Sequence, residues 1–494
     1  MRRALAVICL LVLTTGVAAA WTPKALVRLS GLSDQEMKAF LGSDFDLAAT
    51  GPDFVEVVLT HDELAMMKKA GKKVRELIPD LDAYVARRLA EQTPTAAYLT
   101  YETMTTRLRE LVAAHPAIAV LSSLGQSIEG REIWAVKVSD HPERDEKEPA
   151  CLLAGAHHAR EWTTFEVPMA VLQTLLEGYG KDERLTRLVN EREIWIVPMV
   201  NPDGVTWSQT QAKYWRKNRR PVGSSFGVDL NRNYGYQWGP TGSSDYPYSD
   251  TYHGTGPFTE PEIVALKGLA EREQFQVSLC YHSYSELVLY PFAYAYNAPN
   301  PDELIFKTVG REMAAFNKYK VQNCTELYPC MGVSDDWFYG AGKTIAFTFE
   351  MGREFIPPAT EIARQCALNV PASLHLIERA GAIAVNTPTG ADDLPAHLDL
   401  TDALAGLALG QRLLPQLTGT DRERTAARWQ LAARRAAELA VAELGRGDPG
   451  AWRRLVAEPA ARTVLPLARA RALFEHCHGR PLPADLLAEV LATR

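Results

Sequence analysis

The stretch Cys151–Trp162, CLLAGAHHAREW, constrains this chain more than any other. CLLAGA is a short apolar run with small flanking residues, as in a buried strand, and it delivers His158 and Glu161 at its end as a His-x-x-Glu pair. Hydrolytic zinc sites take three protein ligands from His, Glu and Asp and leave a fourth position for water, so this pair is two thirds of such a set. The third ligand is expected from His282, which closes a second apolar run, VSLCYH, 121 residues after Glu161. Two close ligands and one distant one are how a folded scaffold fixes a metal. A lone His-x-x-Glu occurs more often on a helix surface, so the rest of the chain has to carry the assignment.

Around that stretch, helical and strand periods alternate. TYETMTTRLRELVAAHP and FEVPMAVLQTLLEGY read as helices, and IAVLSSLG, REIWAVKV and REIWIVPMVN as strands. The expected fold is therefore α/β, a mixed central sheet with helices on both faces, and active residues belong on loops beyond strand ends. His158, Asn201 and His282 all fall there. Ahead of this unit, ALVRL, SDQEMKAF, FDLAAT, FVEVVLT, HDELAMMKKAG and KKVREL read strand, helix, strand, strand, helix, strand. Short gaps holding Gly, Asp and Pro make this a small α+β unit of the split βαβ kind.

The ends of the chain read differently. Residues 1–20 combine Arg2 and Arg3, a short apolar run and Ala18-Ala19-Ala20, the pattern of a secretory signal peptide that is too short for a membrane span. No later stretch is long and apolar enough to cross a bilayer, so a secreted or periplasmic protein is expected. Residues 385–494 shift to Arg, Ala and Leu, with no lysine beyond Lys343, and read as an α-helical extension of unknown role and unknown partner. A formal net charge of −7 leaves no basic footprint for nucleic acid. Six of the seven cysteines follow residue 20, too few for a disulfide-built scaffold. Cys151 and Cys280 are read as either buried thiols or a bridge, and Cys324 and Cys330 as better placed for a local bridge.

GAHHAREW, VNPDG at 200–204, YWRK at 214–217, VDLNRN at 228–233, HSYSELVLYP from His282 and FTFE at 347–350 occur in one order. Together they resemble the secreted zinc metallocarboxypeptidases, the family of digestive carboxypeptidases A and B, over roughly residues 97–379. The resemblance implies an α+β activation or pro-segment that caps the cleft (21–90) and a catalytic domain (91–384), set between the signal peptide (1–20) and a helical extension (385–494) that the resemblance does not cover. It also implies a zymogen, with processing expected near Arg87-Arg88. One Zn²⁺ per chain is expected on His158, Glu161 and His282. Glu350 would be the general base for water activated by the metal, and Arg216 the cation that meets the oxyanion.

Asn231 and Arg232 are similar to the pair that grips the terminal carboxylate of a peptide or protein, a match for the guanidinium fork. Tyr328 is similar to the tyrosine that closes over that end, and Arg160 to a contact further upstream. Asp335 stands at the base of the pocket for the last side chain, which implies a preference for terminal Lys or Arg as in the B-type enzymes. Asp336 is read as structural, while Val333, where Gly is expected, and Ala293 are expected to narrow that pocket. Lys213, Lys217, Arg219 and Arg220 are read as a basic surface loop. The alternatives are the same chemistry on apolar chain ends or cell-wall peptides, and a non-catalytic peptide-binding relative.

Overall fold

The structure, a computed structural model, describes residues 22–383. The readings of residues 1–20 and 385–494 lie outside the described residues. An N-terminal unit comes first: β1 (Lys24–Ser30), helix Asp34–Leu41, β2 (Asp46–Thr50), β3 (Phe54–Thr60), helix His61–Lys69 and β4 (Lys73–Ile78). Both helices start on a capping box, Ser33 with Glu36 and Thr60 with Glu63, which satisfies backbone N–H groups that have no partner inside the helix. The sheet order is β2-β3-β1-β4, the split βαβ arrangement expected from the sequence.

Side chains alternate between the faces of a strand, and here each face has its own partner. Val27, Leu29, Val55, Val57 and Leu59 meet Met37, Phe40, Leu64 and Met67 of the unit's own helices. Leu26, Ala48 and Val58 point the other way and join the large core of the remaining chain. The unit thus lies sheet-down on its neighbour, and the helix Leu81–Ala90 follows it into the same core through Leu81, Tyr84 and Val85.

The second unit opens with the helix Tyr101–Ala114, then β5 (Ala119–Gln126), β6 (Glu132–Val138) and β7 (Ala150–Gly155). Two helices, Thr163–Gly178 and Glu183–Asn190, lead to β8 (Glu193–Val197), and the helix Pro202–Thr210 leads to a two-residue pair, β9 (Pro221–Val222) with β10 (Ser225–Phe226). After the helix Pro261–Glu273 come β11 (Val277–His282), β12 (Leu287–Tyr290), the helix Glu303–Asn317, β13 (Lys320–Asn323), the helix Ser334–Gly340, β14 (Ile345–Glu350) and the helix Ile362–Arg379. The eight-stranded sheet runs β13-β12-β14-β11-β7-β8-β6-β5: β14, β11, β7 and β8 are parallel, β12 and β6 join them antiparallel on either side, β13 pairs parallel with β12 and β5 antiparallel with β6. It is the mixed, helix-flanked sheet expected from the sequence. The middle strands β7 and β11 are buried at every position, which is why they read as unbroken apolar runs.

The chain leaves β7 toward β8 on one side and returns as β11 on the other. That reversal opens a crevice beyond the carboxyl ends of the strands. Register completes the placement: Tyr281 lies opposite Gly155 and His282 opposite Glu350. Gly155 is needed at the turn out of β7, because a Cβ there would sit 2.2 Å from the Thr164 carbonyl oxygen and 2.7 Å from that of Pro198.

The parallel register also settles one cysteine question. Cys151 pairs with Val277 and Cys280 with Ala154, so the two thiols are three residues out of step, about 10 Å along the strands. Both are free and buried. No helix among the described residues is long and apolar enough to cross a membrane.

Candidate metal centre and substrate cleft

The loop after β7 begins with Ala156 in the left-handed region (φ 55°), a turn that swings His158 and Glu161 over the strand end. Asn201 braces it, its side-chain amide donating to the carbonyls of His157 (3.0 Å) and Lys217 (3.2 Å). His158, Glu161 and His282 are all buried, and their ligand atoms lie within 4.8 Å of one another. His158 Nδ1 is 2.7 Å from Glu161 Oε1, His282 Nδ1 is 3.1 Å from Glu161 Oε2, and the two Nδ1 atoms are 3.2 Å apart.

Asp229 decides how His158 is used. Its Oδ1 lies 3.1 Å from His158 Nε2, and its Oδ2 accepts from Arg216 Nε at 2.9 Å. Burial works to raise this carboxyl, but the charge of Arg216 outweighs it and holds Asp229 well below the usual carboxylate range. An ionised Asp229 takes the Nε2 hydrogen, leaving His158 Nδ1 as a lone pair aimed at Glu161 and His282. Burial holds His282 below the ordinary histidine value, which favours its uncharged form. Imidazole nitrogens and a carboxylate turned on one another form a donor set that wants a divalent cation, and its chemistry fits zinc.

Glu350 ends β14 directly beside His282. Burial and the Glu161 carboxylate push it well above the ordinary carboxylate range, against the pull of Arg216 and Arg232. A divalent cation at the ligand cluster opposes that rise. Arg232 stands further along the cleft, where its Nε and Nη1 donate to the carbonyls of Gly242 and Asn231, each at 2.8 Å. Asn231 Oδ1 accepts the backbone N–H of Ser334 at 2.8 Å, which ties the helix carrying Asp335 to the metal side of the cleft. His158, His282, Glu350, Asn231, Arg232 and Asp335 line one cavity.

The family profile for zinc carboxypeptidases matches residues 104–372, more than half of the chain. The chain belongs to the zinc carboxypeptidase family. Zinc is therefore its metal, with His158, Glu161 and His282 as the candidate ligands. A zinc carboxypeptidase of Saccharothrix mutabilis subsp. capreolus is 37% identical over 290 residues, 55% of this chain and 67% of that protein. Carboxypeptidase B of Homo sapiens is 30% identical over 337 residues, 65% of this chain and 79% of that protein. The crystal structure of carboxypeptidase A from Helicoverpa armigera shares the fold at 21% identity, with a TM-score of 0.66 over 74% of this chain and 99% of that one. Carboxypeptidase A4 of Mus musculus is matched over 66% of its length, so this carboxypeptidase chain spans about two thirds of several curated relatives.

Against that family pattern, the N-terminal unit makes the contact that sequence reading missed. Asp46 of β2 is buried in the cleft, where its two oxygens accept from Arg160 Nη1 (2.5 Å) and Nη2 (2.8 Å), with Arg216 Nη1 at 3.8 Å. Arg160 is fully buried, its guanidinium over the rings of Phe355 (4.3 Å) and Tyr214 (4.9 Å). Thr50 donates to the Leu327 carbonyl at 2.8 Å, and Tyr328 packs into the hydrophobic clusters of both units. Tyr284 donates to Glu56. Two expected site residues, Arg160 and Tyr328, are therefore occupied by the N-terminal unit.

Three expectations change. Cys324 and Cys330 are free, not bridged, because the Cys324 thiol is engaged at 3.1 Å with Asp335 Oδ2. Alkylating the denatured, unreduced protein is expected to label Cys151, Cys280, Cys324, Cys330 and Cys366, and a disulfide-linked peptide joining Cys324 to Cys330 would contradict this. Lys217 and Arg219 are buried rather than on a surface loop. The Lys217 ammonium donates to the Pro247 carbonyl at 2.7 Å, and the Arg219 guanidinium lies 3.8 Å from the Trp207 ring centre. Arg88 is not a free processing site, since its Nε donates to the Ile356 carbonyl at 3.0 Å and its Nη2 pairs with Glu354 at 2.8 Å.

His157 was likewise unforeseen. Its ring stacks on His282 with centres 5.3 Å apart, and Nε2 meets the Tyr234 hydroxyl at 2.8 Å. Burial holds it well below the ordinary value, which favours an uncharged ring beneath His282.

Proposed function

We propose that this chain is the latent form of a zinc carboxypeptidase that releases the last residue of peptides, with a preference for terminal Lys or Arg. The observation that carries the reading is the single cavity shared by metal ligands, a base, a carboxylate clamp and a pocket carboxylate. His158, Glu161 and His282 hold the metal. Zinc bound there supplies a Lewis acid that polarises a carbonyl and eases the ionisation of water.

Glu350 takes a proton from the attacking water and returns it to the departing amine. Arg216, fixed by Asp229, presents a preorganised cation to the charge that develops on the carbonyl oxygen. Arg232 and Asn231 take the terminal carboxylate, which confines cleavage to a chain end, and Tyr328 closes over it. Asp335 meets the cationic end of the last side chain. Arg160 contacts the substrate upstream once Asp46 has gone.

Residues 21–90 act as the pro-segment in this reading. Asp46 mimics the charge of a bound substrate on Arg160, and Thr50 and the unit's core restrain the Tyr328 loop. Cleavage falls in the exposed stretch 91–96 after the helix rather than at Arg88, whose side chain is committed to the interface. Export through a signal peptide at 1–20 fits a latent peptidase.

Matched peptides ending in Lys, Arg, Phe and Leu, offered to the chain after limited proteolysis, test this. The expected result is release of basic residues, abolished by a zinc chelator and restored by zinc. Release of Phe or Leu alone would keep the enzyme and remove Asp335 from the pocket floor. Binding without release, at one zinc per chain, would favour a non-catalytic peptide-binding protein.

A further inference from the structure

Asp335 sits in the first turn of the helix Ser334–Gly340, almost fully buried. One of its oxygens is already engaged: Oδ2 accepts from the Cys324 thiol at 3.1 Å and from the Thr348 hydroxyl at 3.4 Å. Asp336 offers no substitute, because its oxygens accept the backbone N–H groups of Ala293 (2.7 Å) and Tyr294 (3.0 Å) and so build the pocket wall. Leu289, Ala293, Leu327, Cys330 and Val333 form an apolar sleeve above the carboxylate. The whole cavity, from His158 and His282 down to this carboxylate, keeps ≈ 40 Å³, enough for roughly three waters at ~10–15 Å³ each, so the sleeve at its floor is narrow.

We propose that this pocket selects lysine over arginine, because Cys324 and Thr348 hold one oxygen of Asp335 and leave a single acceptor in a narrow apolar sleeve. The proposal rests on the carboxypeptidase reading above. A guanidinium is a planar fork that pairs best with both oxygens of a carboxylate, and here one is taken. An ammonium is a compact point charge that one oxygen can meet, and its four-carbon stem suits an apolar sleeve. Burial and the adjacent Asp335 push the Cys324 thiol well above its ordinary value, so it stays protonated and keeps donating. Cys324 is thus a specificity-determining residue, and Thr348 supports it.

The test compares kcat/KM for matched peptides ending in Lys and in Arg, using zinc-loaded chain after limited proteolysis. The wild type is expected to favour Lys about 10-fold or more, the scale on which pocket fit discriminates side chains. Cys324→Ala leaves only the longer Thr348 contact on Oδ2 and widens the floor, so the Arg value rises about 10-fold and the preference falls toward parity. Cys324→Ser keeps a donor in place and is expected to retain the Lys preference. Equal release of Arg and Lys by the wild type, or an unchanged ratio in Cys324→Ala with Cys324→Ser folded and active, would overturn the proposal. Release of Phe or Leu but of neither basic residue would overturn it together with the role of Asp335. No release of any residue at one zinc per chain would instead overturn the carboxypeptidase reading.

Discussion

Replacing Glu350 by Gln is expected to lower kcat by about 10²–10⁴-fold while zinc content stays at one per chain, the range that a positioned general base contributes. Glu350 is not among the three converging ligands, so metal binding and activity separate in this variant. Gln keeps the shape of the side chain but cannot take a proton from water. The same change removes a buried carboxyl that burial and Glu161 disfavour as an anion, so in the metal-free chain the thermal midpoint is expected to hold or rise. Activity measured beside zinc content and a melting curve checks all three. A Glu350→Gln enzyme retaining more than a tenth of wild-type kcat would remove Glu350 from the chemistry.

Replacing Asp46 by Ala is expected to raise the activity of the uncut chain by about 10- to 1000-fold. Arg160 is fully buried against Phe355 and Tyr214, and removing its partner leaves a charge without compensation. Losing one partner of a buried pair costs about 3–5 kcal/mol, which shifts docking of the N-terminal unit by roughly two to three and a half orders of magnitude. The other contacts, among them Tyr284 with Glu56 and Thr50 with Leu327, set how much of that shift appears as activity. Uncut Asp46→Ala as latent as the wild type, with full activity after cutting, would show that Asp46 does not hold the gate.

The pH dependence of that gate follows from the same pair. Burial alone raises the Asp46 carboxyl, yet Arg160 and Arg216 bring it down from 3.8 to about 2. A carboxyl depressed in the folded state stabilises it fully above the ordinary value, and the contribution is lost only as pH falls through the folded value. The window is therefore about pH 4 down to 2. Latency of the uncut chain, normalised to the cut enzyme at each pH, is expected to be flat from pH 7 to pH 5. A rise at pH 5 would point to a different group in control.

What could be read in advance was local. His158, Glu161, His282 and Glu350 stand at the ends of strands whose apolar runs are legible as strands, so the sequence carried both the residues and their address. The N-terminal topology was legible for the same reason, with period-2 strands and capped helices set between short turns. Asp229 lay inside a motif already noticed, VDLNRN, but its task depends on His158, 71 residues away, and nothing in its own neighbourhood announces that. Lys217 and Arg219 misled because a run of charges usually marks a solvated face. Here the aromatic rings of Trp207 and Trp215 and the Pro247 carbonyl take them in.

The sequence by itself determined the strands, the candidate ligands they carry and the family, because periodicity, turn chemistry and short motifs act within a few residues. Only the tertiary structure decided that Asp46 lies on Arg160, that Cys324 is a donor to Asp335 rather than half of a disulfide, and how much room the pocket keeps. Those outcomes depend on which elements pack against one another. An ion pair spanning 114 residues, or a thiol set against a carboxylate by two neighbouring loops, has no local signal to read.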